Sequence, residues 1–410
     1  MKKYVFFSCS VFGVGGGQLY VSNKSEYLID KGFQVYSIST SHLSYADKIF
    51  YKGLYQVQNI ILSELEFCPE AYSAAKREKI INQIIHMISA DESDEIVLES
   101  NNLPCAIWAE RLAERLQCKH VFFSISEHNF INGHTLEFLE FKFKRGELAT
   151  IGTKTFKRIY AKSMLITEQN IPTLRAYLGD YIGDETDERL ENIQKSDYNV
   201  CIIGRGGKRY VEYACLSLAA FCQKHPTVSF TVGIVSKFRD DEKRQRILER
   251  FEAAANVKVY CLGYFSPIPR ALFDMFDLYI GGAGCASLAY RQNVLTLAMD
   301  LYNDRPLGFM GYDVYKTKDV SEQDADMEAY LEDAFFGKEY LKKEYLPSPV
   351  MTAEEAFSRH DEFLENSSKE KEYFIKTNKA VSLKEKVKAK FPFLIKLYRQ
   401  AQLLLKPSKQ

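Results

Sequence analysis

The sequence lacks the features that mark secreted and membrane-spanning proteins. Its nine cysteines include no Cys-x-x-Cys pair, and the two nearest each other are Cys215 and Cys222. An odd, unpatterned set of this kind indicates reduced thiols in a cytoplasmic protein rather than a disulfide framework. No run approaches the ~20 apolar residues of a membrane-spanning helix. The N-terminal "MKKYVFFSCS" has lysines and an apolar run but no A-x-A-like cleavage site, so we predict a buried strand there and not a signal peptide.

The sequence also lacks a net charge, although its charges are unevenly distributed. The 54 Lys/Arg and 54 Asp/Glu residues cancel over the 410-residue chain. Residues 384–410 contain eight Lys/Arg and one Glu, a sum of +7, which leaves −7 for residues 1–383. We therefore expect residues 1–383 not to bind nucleic acid. The basic C-terminal tail is the segment expected to bind an acidic partner.

Short apolar runs alternate with amphipathic segments along the chain and predict an α/β protein. Continuous apolar strands such as "KYVFFSCS" and "YNVCIIG" are typical of parallel sheets covered on both faces. The pattern restarts after an acidic stretch that is poor in large apolar residues. We predict two tandem Rossmann-like, doubly wound domains and a helical tail. The predicted boundaries are 1–180 for the first domain, 181–197 for a linker, 198–375 for the second domain and 376–410 for the tail.

Two elements near the end of the first domain are also predicted. "KSMLIT", over 162–167, has the apolar content of a strand, and "NIPTLRAYLG", over 170–179, has the pattern of a helix. In open sheets of this kind ligands bind beyond the carboxyl ends of the strands, so functional residues are sought in the loops that follow strands.

The first such loop, "FGVGGGQLY", is rich in glycine, and we tested it as a dinucleotide-binding fingerprint. Counting from Gly13, the third glycine of Gly-x-Gly-x-x-Gly falls on Gln18, where a small residue is needed for close helix–strand packing. The second strand ends in "SIST" and offers no carboxylate for a ribose. A nicotinamide or flavin enzyme is therefore disfavoured, and a simple tight turn remains an alternative for these glycines.

Three longer blocks resemble the GT-B fold glycosyltransferases, especially the large group-one (family four) type. "GGGQLYVSNKSEYLIDKGFQVYSIS" resembles the opening of that family, with its glycine loop, helix, Lys-Gly stop and strand. "CIIGRGGKRYVEYACLSLAAFCQKHPTVSFTVGIVS" and "VKVYCLGYFSPIPRALFDMFDLYIGG" resemble the second domain in the same order. The similarity covers most of 4–40 and 198–300.

The resemblance implies a metal-independent transferase that moves a sugar from a nucleotide-sugar donor to a glycan or lipid-linked glycan acceptor, as in capsule or O-antigen assembly. It implies no cofactor besides the donor, an acceptor-binding first domain and a donor-binding second domain. One departure is clear: the family's two glutamates are absent from "GGAGCASLAYRQNVLTLAMD". The chain would therefore be a divergent member, and whether it retains or inverts the anomeric configuration of the sugar is left open. The alternatives are a catalytically silent partner subunit, or a pyruvyltransferase or sugar-nucleotide epimerase on the same scaffold.

Two loops of the second domain are suited to the donor diphosphate. "GRGGK" places Arg205 and Lys208 behind a strand, where a guanidinium and an ammonium can meet phosphate oxygens. "GGAGCAS" places Gly282, Ala283 and Gly284 at a strand end, with a helix N-terminus that favours an anion and the hydroxyl of Ser287 nearby. The alternatives are solvated surface cations for the first loop and a tight turn for the second.

Other candidate residues follow neighbouring strands. Tyr264 and Phe265 could stack on the donor base, although core packing is an equal alternative. Glu127 and His128 follow the strand "KHVFFSIS" and are candidates for the general base that deprotonates the acceptor hydroxyl. We expect a cleft between the two domains, and Gly15, Gly16 and Gly17 would let the backbone approach a sugar from the first-domain side of it. No metal site is predicted, because the spacing of His128 and His134 fits a helix poorly.

The tail has an apolar stripe with lysines on its other face. The stripe comprises Val387, Phe391, Leu394, Tyr398, Ala401 and Leu405. A basic amphipathic helix can lie on an anionic membrane surface, which would suit a cytoplasmic enzyme with a lipid-linked acceptor. The alternative is that the same stripe packs on the first domain, and Pro392 should divide the tail into two helices.

Overall fold

The computed structural model describes most of the chain, in two compact units. Unit 1 comprises Met1–Gly179 and Met351–Gln410, and unit 2 comprises Asp180–Val350. The described residues are 1–8, 10–13, 15–40, 51–125, 133–152, 156, 161–177, 179, 181–238, 240–301, 304–314, 326–348, 351–374 and 381–391. At 133, 134, 383 and 384 the backbone alone is described.

Unit 1 is built on a six-stranded sheet in the order β3-β2-β1-β4-β5-β6, in which all neighbours are parallel. Its strands are β1 (Lys2–Ser8), β2 (Gln34–Ser39), β3 (Gln58–Ile61), β4 (Glu95–Ser100), β5 (Lys119–Ser124) and β6 (Leu148–Thr150). Its first four helices are α1 (Gly16–Asp30), α2 (Ala74–Met87), α3 (Leu103–Leu116) and α4 (Gly133–Lys144). The predicted stop of α1 is present, since Gly32 has φ +81° and donates its amide to the Ile29 carbonyl.

Unit 2 repeats this plan, with strand order β10-β9-β8-β12-β13-β14. Its main strands are β8 (Tyr198–Ile203), β9 (Phe230–Val235), β10 (Val257–Cys261), β12 (Leu278–Gly282), β13 (Thr296–Met299) and β14 (Pro306–Phe309). Only β14 runs antiparallel to its neighbour among these pairs. The larger helices are α6 (Arg209–Lys224), α7 (Asp241–Glu252), α9 (Gly284–Arg291) and α10 (Met327–Glu332), and α8 (Arg270–Phe273) is a single turn. The predicted class, two Rossmann-like α/β units, is confirmed.

The stretch predicted as a linker contains ordered structure of unit 2. β7 (Ile182–Gly183) pairs in parallel with β11 (Ile268–Pro269), and α5 (Glu188–Glu191) follows. Leu190 and Ile193 are buried in the core of unit 2. The stretch therefore packs on unit 2 through its few apolar residues, and its acidic residues lie on the surface of that segment.

The chain returns to unit 1 earlier than the boundary predicted at 375. α11 (Ala353–Asn366) begins with a capping box between Thr352 and Glu355. It packs on α1 through Phe357, whose ring centroid lies 5.2 Å from that of Tyr27. The apolar face of α1 requires this cover, so residues 351–375 group with the first unit rather than the second.

Two predicted elements, the strand over 162–167 and the helix over 170–179, are wrong. The Ser163 hydroxyl accepts from the amides of Leu165 and Ile166 and forms a local turn in place of a strand. Instead of a helix, residues 172–174 pair beside β6 through a Thr150–Thr173 bridge, in which the Thr150 amide donates to the Pro172 carbonyl and the Leu174 amide donates to the Thr150 carbonyl.

The described part of the tail is α12 (Leu383–Lys390). Ala389 is buried in the core of unit 1, whereas Val387 and Phe391 of the predicted apolar stripe are 44% and 39% exposed. Pro392 and the rest of the stripe lie outside the described residues.

Candidate functional site

The site of interest in unit 2 lies where the strand order reverses. From β8 the chain builds β9 and β10 on one side and then β12 and β13 on the other, with β8 and β12 paired from Leu278↔Val200 to Gly281↔Ile203. A crevice beyond the carboxyl ends of two such strands is the usual ligand site of a doubly wound sheet. Both loops predicted to bind a diphosphate open from this pair of strands.

The loop after β8 brings two cations to this edge. Arg205 is exposed, and Lys208 is half-buried and forms the N-cap position of α6, where no side chain caps the helix. Gly206 makes a close approach that no other residue could make, because a Cβ there would lie 2.7 Å from the Lys237 carbonyl oxygen. The glycine therefore packs this loop against the chain that follows β9.

The loop after β12 begins a second helix without a side-chain cap. A Cβ on Gly282 would lie 2.6 Å from Leu301 Cδ2, so the strand end is closely packed. Ala283 has φ 49°, a conformation that L-residues rarely adopt, and it precedes α9 directly. The first intrahelical bond runs from the Ser287 amide to the Ala283 carbonyl. The amides of Gly284 to Ala286 therefore have no acceptor within the helix, and they form the positive end of its dipole.

The positive charge of Arg205 acts on two buried groups at this edge. Burial raises the pKa of the Cys285 thiol to about 11, and the charge of Arg205 opposes that rise. Burial also raises the pKa of Tyr210, which Arg205 lowers and Tyr264 raises further. Cys285 lies in the first turn of α9 and Tyr210 in the first turn of α6, so Arg205 is within electrostatic range of both helix starts.

Nearby carboxylates are held by other cations. Glu212, in the first turn of α6, lies 3.0 Å from Lys243 and pairs with Arg246. Burial alone would raise the pKa of Glu212, but its hydrogen bonds to these two cations outweigh burial and lower it. Asp304 pairs with Arg209 at 2.7 Å. The two carboxylates Glu212 and Asp304 are therefore neutralised by cations other than Arg205.

The two aromatic candidates after β10 differ in their surroundings. Phe265 is 5% exposed and belongs to the core, and the Arg189 guanidinium lies 4.0 Å from its ring centroid. Arg189 also donates to the Leu262 and Tyr264 carbonyls at 2.6 and 2.9 Å. Phe265 therefore has the core role that was its alternative and leaves our candidate site, whereas the half-buried Tyr264 stays in it.

The glycine loop of unit 1 occupies the equivalent position in the first sheet. It follows β1, which lies beside β4 at the reversal of strand order. Gly15 is the N-cap of α1 and donates its amide to the Tyr51 hydroxyl at 3.3 Å, and no side chain caps the helix. Gly16 and Gly17 form its first turn. On the adjacent strand end, Asn101 donates to Ser8 Oγ at 2.7 Å.

A buried ionic cluster behind this loop was not predicted. Glu99 of β4 accepts from Lys24 at 2.5 Å, Tyr4 at 2.6 Å and Tyr20 at 2.7 Å. Burial is the largest single influence and would raise the pKa of the Glu99 carboxyl, but the charge of Lys24 and the hydrogen bonds from Lys24 and Tyr4 together outweigh it and lower the pKa. The signal in the sequence was a lysine four residues after Tyr20 and four before Leu28, on the buried face of α1.

His360 of α11 completes this cluster. Its Nε2 donates to the Arg175 carbonyl at 2.9 Å, so Nδ1, 3.4 Å from both Tyr20 Oη and Lys24 Nζ, is the acceptor. Burial lowers the pKa of His360 to about 4. The neutral imidazole joins α11 to the helix that carries the glycine loop.

The two residues predicted as the general base lie outside the described part of the chain. Glu127 and His128 are not among the described residues, so their role as general base stays a prediction. Within the described ranges, no group of three or more His, Cys, Asp and Glu side chains could hold a metal ion. In those same ranges, no helix is long and apolar enough to cross a membrane.

Comparison with known proteins gives matches at the level of structure. No family model matches the chain, and no curated protein matches its sequence. A glycosyltransferase from Rickettsia africae is 14% identical with a TM-score of 0.56, covering 99% of this chain and 99% of its own. Anabaena HepE in complex with UDP and glucose is 12% identical with a TM-score of 0.52, covering 97% and 100%. HepE with UDP-glucose is 11% identical with a TM-score of 0.53, covering 89% and 95%. The chain has the GT-B fold.

Proposed function

We propose that the protein is a glycosyltransferase whose second unit binds the diphosphate of a nucleotide-sugar donor. The observation that carries the proposal is that the loop with Arg205 and Lys208 and the uncapped start of α9 follow the paired strands β8 and β12, at the strand-order reversal of unit 2. Two cations and a helix N-terminus form a binding site for a group with several anionic oxygens. The complexes of HepE with UDP and glucose support this choice of ligand.

The chemistry follows from the charge of this edge. Breaking the anomeric C–O bond leaves negative charge on the departing diphosphate, and preorganised positive groups lower the barrier to that step. In our proposal Arg205, Lys208 and the amides of Gly284–Ala286 supply this stabilisation without a metal ion. Ser287 and Tyr264 would contact the phosphate and the base, and Glu127 or His128 would take the acceptor proton.

The acceptor is proposed to be a glycan, carried on a lipid and used in surface-polysaccharide assembly. The protein would then work in the cytoplasm at the inner face of the membrane. The exposed Val387 of the lysine-rich α12 and the exposed Phe391, which directly follows this helix, support contact of the tail with anionic lipid. In unit 1, the backbone of Gly15–Gly17 stays our candidate for close approach to a sugar.

A panel of UDP, GDP, ADP and CMP in thermal unfolding tests the donor site. We expect one nucleoside diphosphate to raise the unfolding temperature, and Arg205→Ala to weaken its binding by roughly 10–100-fold through loss of a charge-assisted hydrogen bond. Arg250→Ala is the matched control, because Arg250 is an exposed arginine of the same unit. Equal binding by wild type and Arg205→Ala would contradict the proposal.

A catalytically silent GT-B subunit is the second candidate. The absence of glutamate from "GGAGCASLAYRQNVLTLAMD" favours it, because the transferases that the chain resembles use carboxylates there. A response to no nucleotide in the panel would support this candidate. Hydrolysis or transfer of a labelled sugar from the nucleotide sugar that corresponds to the stabilising nucleotide would exclude it.

A further inference from the structure

A cavity of about 90 Å³ lies in unit 1 at the amino end of β5, and we call it the β5 cavity. Since β1 and β5 run in the same direction, this edge of the sheet is opposite to the one from which the loop of Gly15–Gly17 opens. The walls come from the start of β5, the end of α4 with the turn after it, and residues 368–373, which follow α11. A water molecule requires roughly 10–15 Å³ of such space, so the cavity has room for a small polyatomic group.

The walls of the β5 cavity carry an excess of positive charge. Five Lys/Arg and three Glu side chains line it, a sum of +2. The cations are Lys119, Lys142, Arg145, Lys369 and Lys371, and the carboxylates are Glu147, Glu370 and Glu372. Lys142 is held by Glu147 at 2.8 Å and by the buried Glu110 at 2.5 Å, so the other cations determine which ligand the cavity accepts. Their charge favours an anion over a metal ion.

Arg145 supplies the first group for an anion. Its side chain is 8% exposed, and its Nε and Nη2 donate to Glu147 at 3.1 Å each. The buried Nη1 has no hydrogen-bond acceptor within the described part of the chain. Glu372 Oε2 lies 3.6 Å from Nη1, which is beyond hydrogen-bond distance, and the Glu372 side chain is 70% exposed. A buried N–H group without an acceptor is costly, so an oxyanion in the cavity would relieve that cost.

Lys119, the first residue of β5, supplies the second group. Its ammonium donates to the Leu364 carbonyl at 2.7 Å and to Ser367 Oγ at 2.8 Å, which uses two of its three hydrogens among the described residues. Burial lowers the pKa of Lys119, and the positive charges of Lys369 and Arg145 lower it further. Lys119 is therefore near enough to two other cations to be repelled by them, and a bound anion would remove that repulsion.

The outer wall of the β5 cavity is the segment in which the chain returns to unit 1. The Ser368 amide donates to the Arg145 carbonyl at 2.8 Å, and Arg145 Nη2 donates to the Glu370 carbonyl at 2.5 Å. Lys369, between these two contacts, is exposed. A ligand that contacts both Arg145 and Lys369 would therefore join residues 368–373 to the end of α4.

We propose that the β5 cavity binds a phosphate group through Arg145 Nη1 and the Lys119 ammonium, with Lys369 at the opening. A phosphate has acceptor oxygens on several sides and about two negative charges, which suits cations that come from different elements. A carboxylate has a single charge and two oxygens in one plane, and Glu372 already offers one at the surface. The ligand is free phosphate or the phosphate of a monoester. This site uses no residue of the proposed donor site and does not depend on the proposed function.

Titration calorimetry of the full-length protein with inorganic phosphate at constant ionic strength tests the site. Every protein titrated carries Arg205→Ala and Lys208→Ala, so that phosphate at the proposed donor site does not contribute to the signal. We expect saturable binding, and Arg145→Lys should weaken it about tenfold, because lysine keeps the charge beside Glu147 but lacks the Nη1 donor. Glu372→Gln should tighten binding several-fold, because it removes the carboxylate that competes for Nη1.

The matched control is Lys144→Gln. Lys144 is an exposed lysine at the end of α4, next to Arg145 but outside the walls of the cavity, and this variant should bind phosphate like its parent. Methyl phosphate is the second probe. Binding of methyl phosphate as tight as that of inorganic phosphate would support the site and identify monoesters as ligands, whereas binding of inorganic phosphate alone would support it with free phosphate as the ligand.

Three results would overturn the proposal. They are no saturable binding of phosphate, unchanged affinity in Arg145→Lys or in Glu372→Gln, and an equal loss in the Lys144→Gln control. Unfolding temperatures show which variants fold like their parent. If Arg145→Lys does not, Glu372→Gln decides alone, since it changes a largely exposed side chain and predicts a gain of affinity that loss of structure cannot produce.

Discussion

The two units share one strand order but place their charged residues differently. Among the described residues, every buried lysine and glutamate belongs to unit 1, including the pairs Lys3–Asp94 at 2.5 Å and Lys24–Glu99 at 2.5 Å. In unit 2, Arg205 lies on the surface at the strand-end edge. Similar scaffolds thus use charge inside unit 1 to hold elements together and, in our proposal, at the edge of unit 2 to bind a ligand.

This difference explains why similar glycine loops have different proposed roles. Both α1 and α6 follow the first strand of their sheet and start without a side-chain cap. The loop before α6 adds Arg205 and Lys208, whereas the loop before α1 adds only glycines between Gly15 and Gly17. A diphosphate needs the cations, and an uncharged sugar needs only close backbone approach.

The largest effect is expected when a buried charge of unit 1 loses its partner. Lys24→Met leaves Glu99 buried without its counter-ion and should lower the free energy of unfolding by about 3–5 kcal/mol. The matched control is Lys224→Met in unit 2, whose pair with Glu328 is largely exposed and should cost less than about 1 kcal/mol. Urea unfolding measures both. Similar losses in the two variants would remove the contrast between the units.

The next effect is a loss of stability of unit 1 in mild acid. The pKa of His360 falls from about 6.5 in the unfolded chain to about 4 in the folded protein, so below pH 6.5 the unfolded state binds more protons. Stability is therefore full above pH 6.5 and decreases towards pH 4, by up to about 3 kcal/mol. Burial lowers the pKa of His120 as well, which adds a change of the same sign.

His360→Gln tests the origin of this pH dependence. The variant has no imidazole to protonate, so its stability should fall less steeply between pH 6.5 and pH 4. Unfolding in urea at several pH values gives the slope. A slope identical to that of wild type would mean that His360 does not contribute.

The smallest effect concerns two adjacent glycines of unit 2. Gly206→Ala would place a Cβ 2.7 Å from the Lys237 carbonyl oxygen and should shift the loop, weakening nucleotide binding several-fold, or about 1 kcal/mol. Gly207→Ala meets nothing within 4 Å and should bind normally. Titration calorimetry with the stabilising nucleotide compares them. Equal binding by the two variants would show that the close approach of Gly206 is not needed for nucleotide binding.

The sequence predicted those parts of the fold in which local signals agree with burial. Strand β1, helix α1 and the stop at Gly32 follow from an apolar run, an amphipathic period and a glycine. The repeat of this pattern from Tyr198 onward predicted the second unit in the same way. The GT-B fold is confirmed, although the donor and catalytic residues stay predictions.

Elements that depend on distant partners were not predictable. The 162–167 segment has strand-like composition, yet the Ser163 hydroxyl satisfies two amides locally and excludes a strand. Helix α11 joins unit 1 because Phe357 and His360 fit the face of α1, which no local pattern shows. Phe265 has the same sequence signal as Tyr264, and only the greater burial of Phe265 in the folded chain distinguishes them.

Hydrogen exchange with and without the stabilising nucleotide tests the central claim most directly. The account places the diphosphate at the strand-order reversal of unit 2. We therefore expect slower exchange at the amides of Arg205–Lys208 and Gly284–Ala286, and loss of that protection in Arg205→Ala. Protection confined to Gly15–Gly17 of unit 1, or no protection in either loop while the nucleotide is bound, would contradict it.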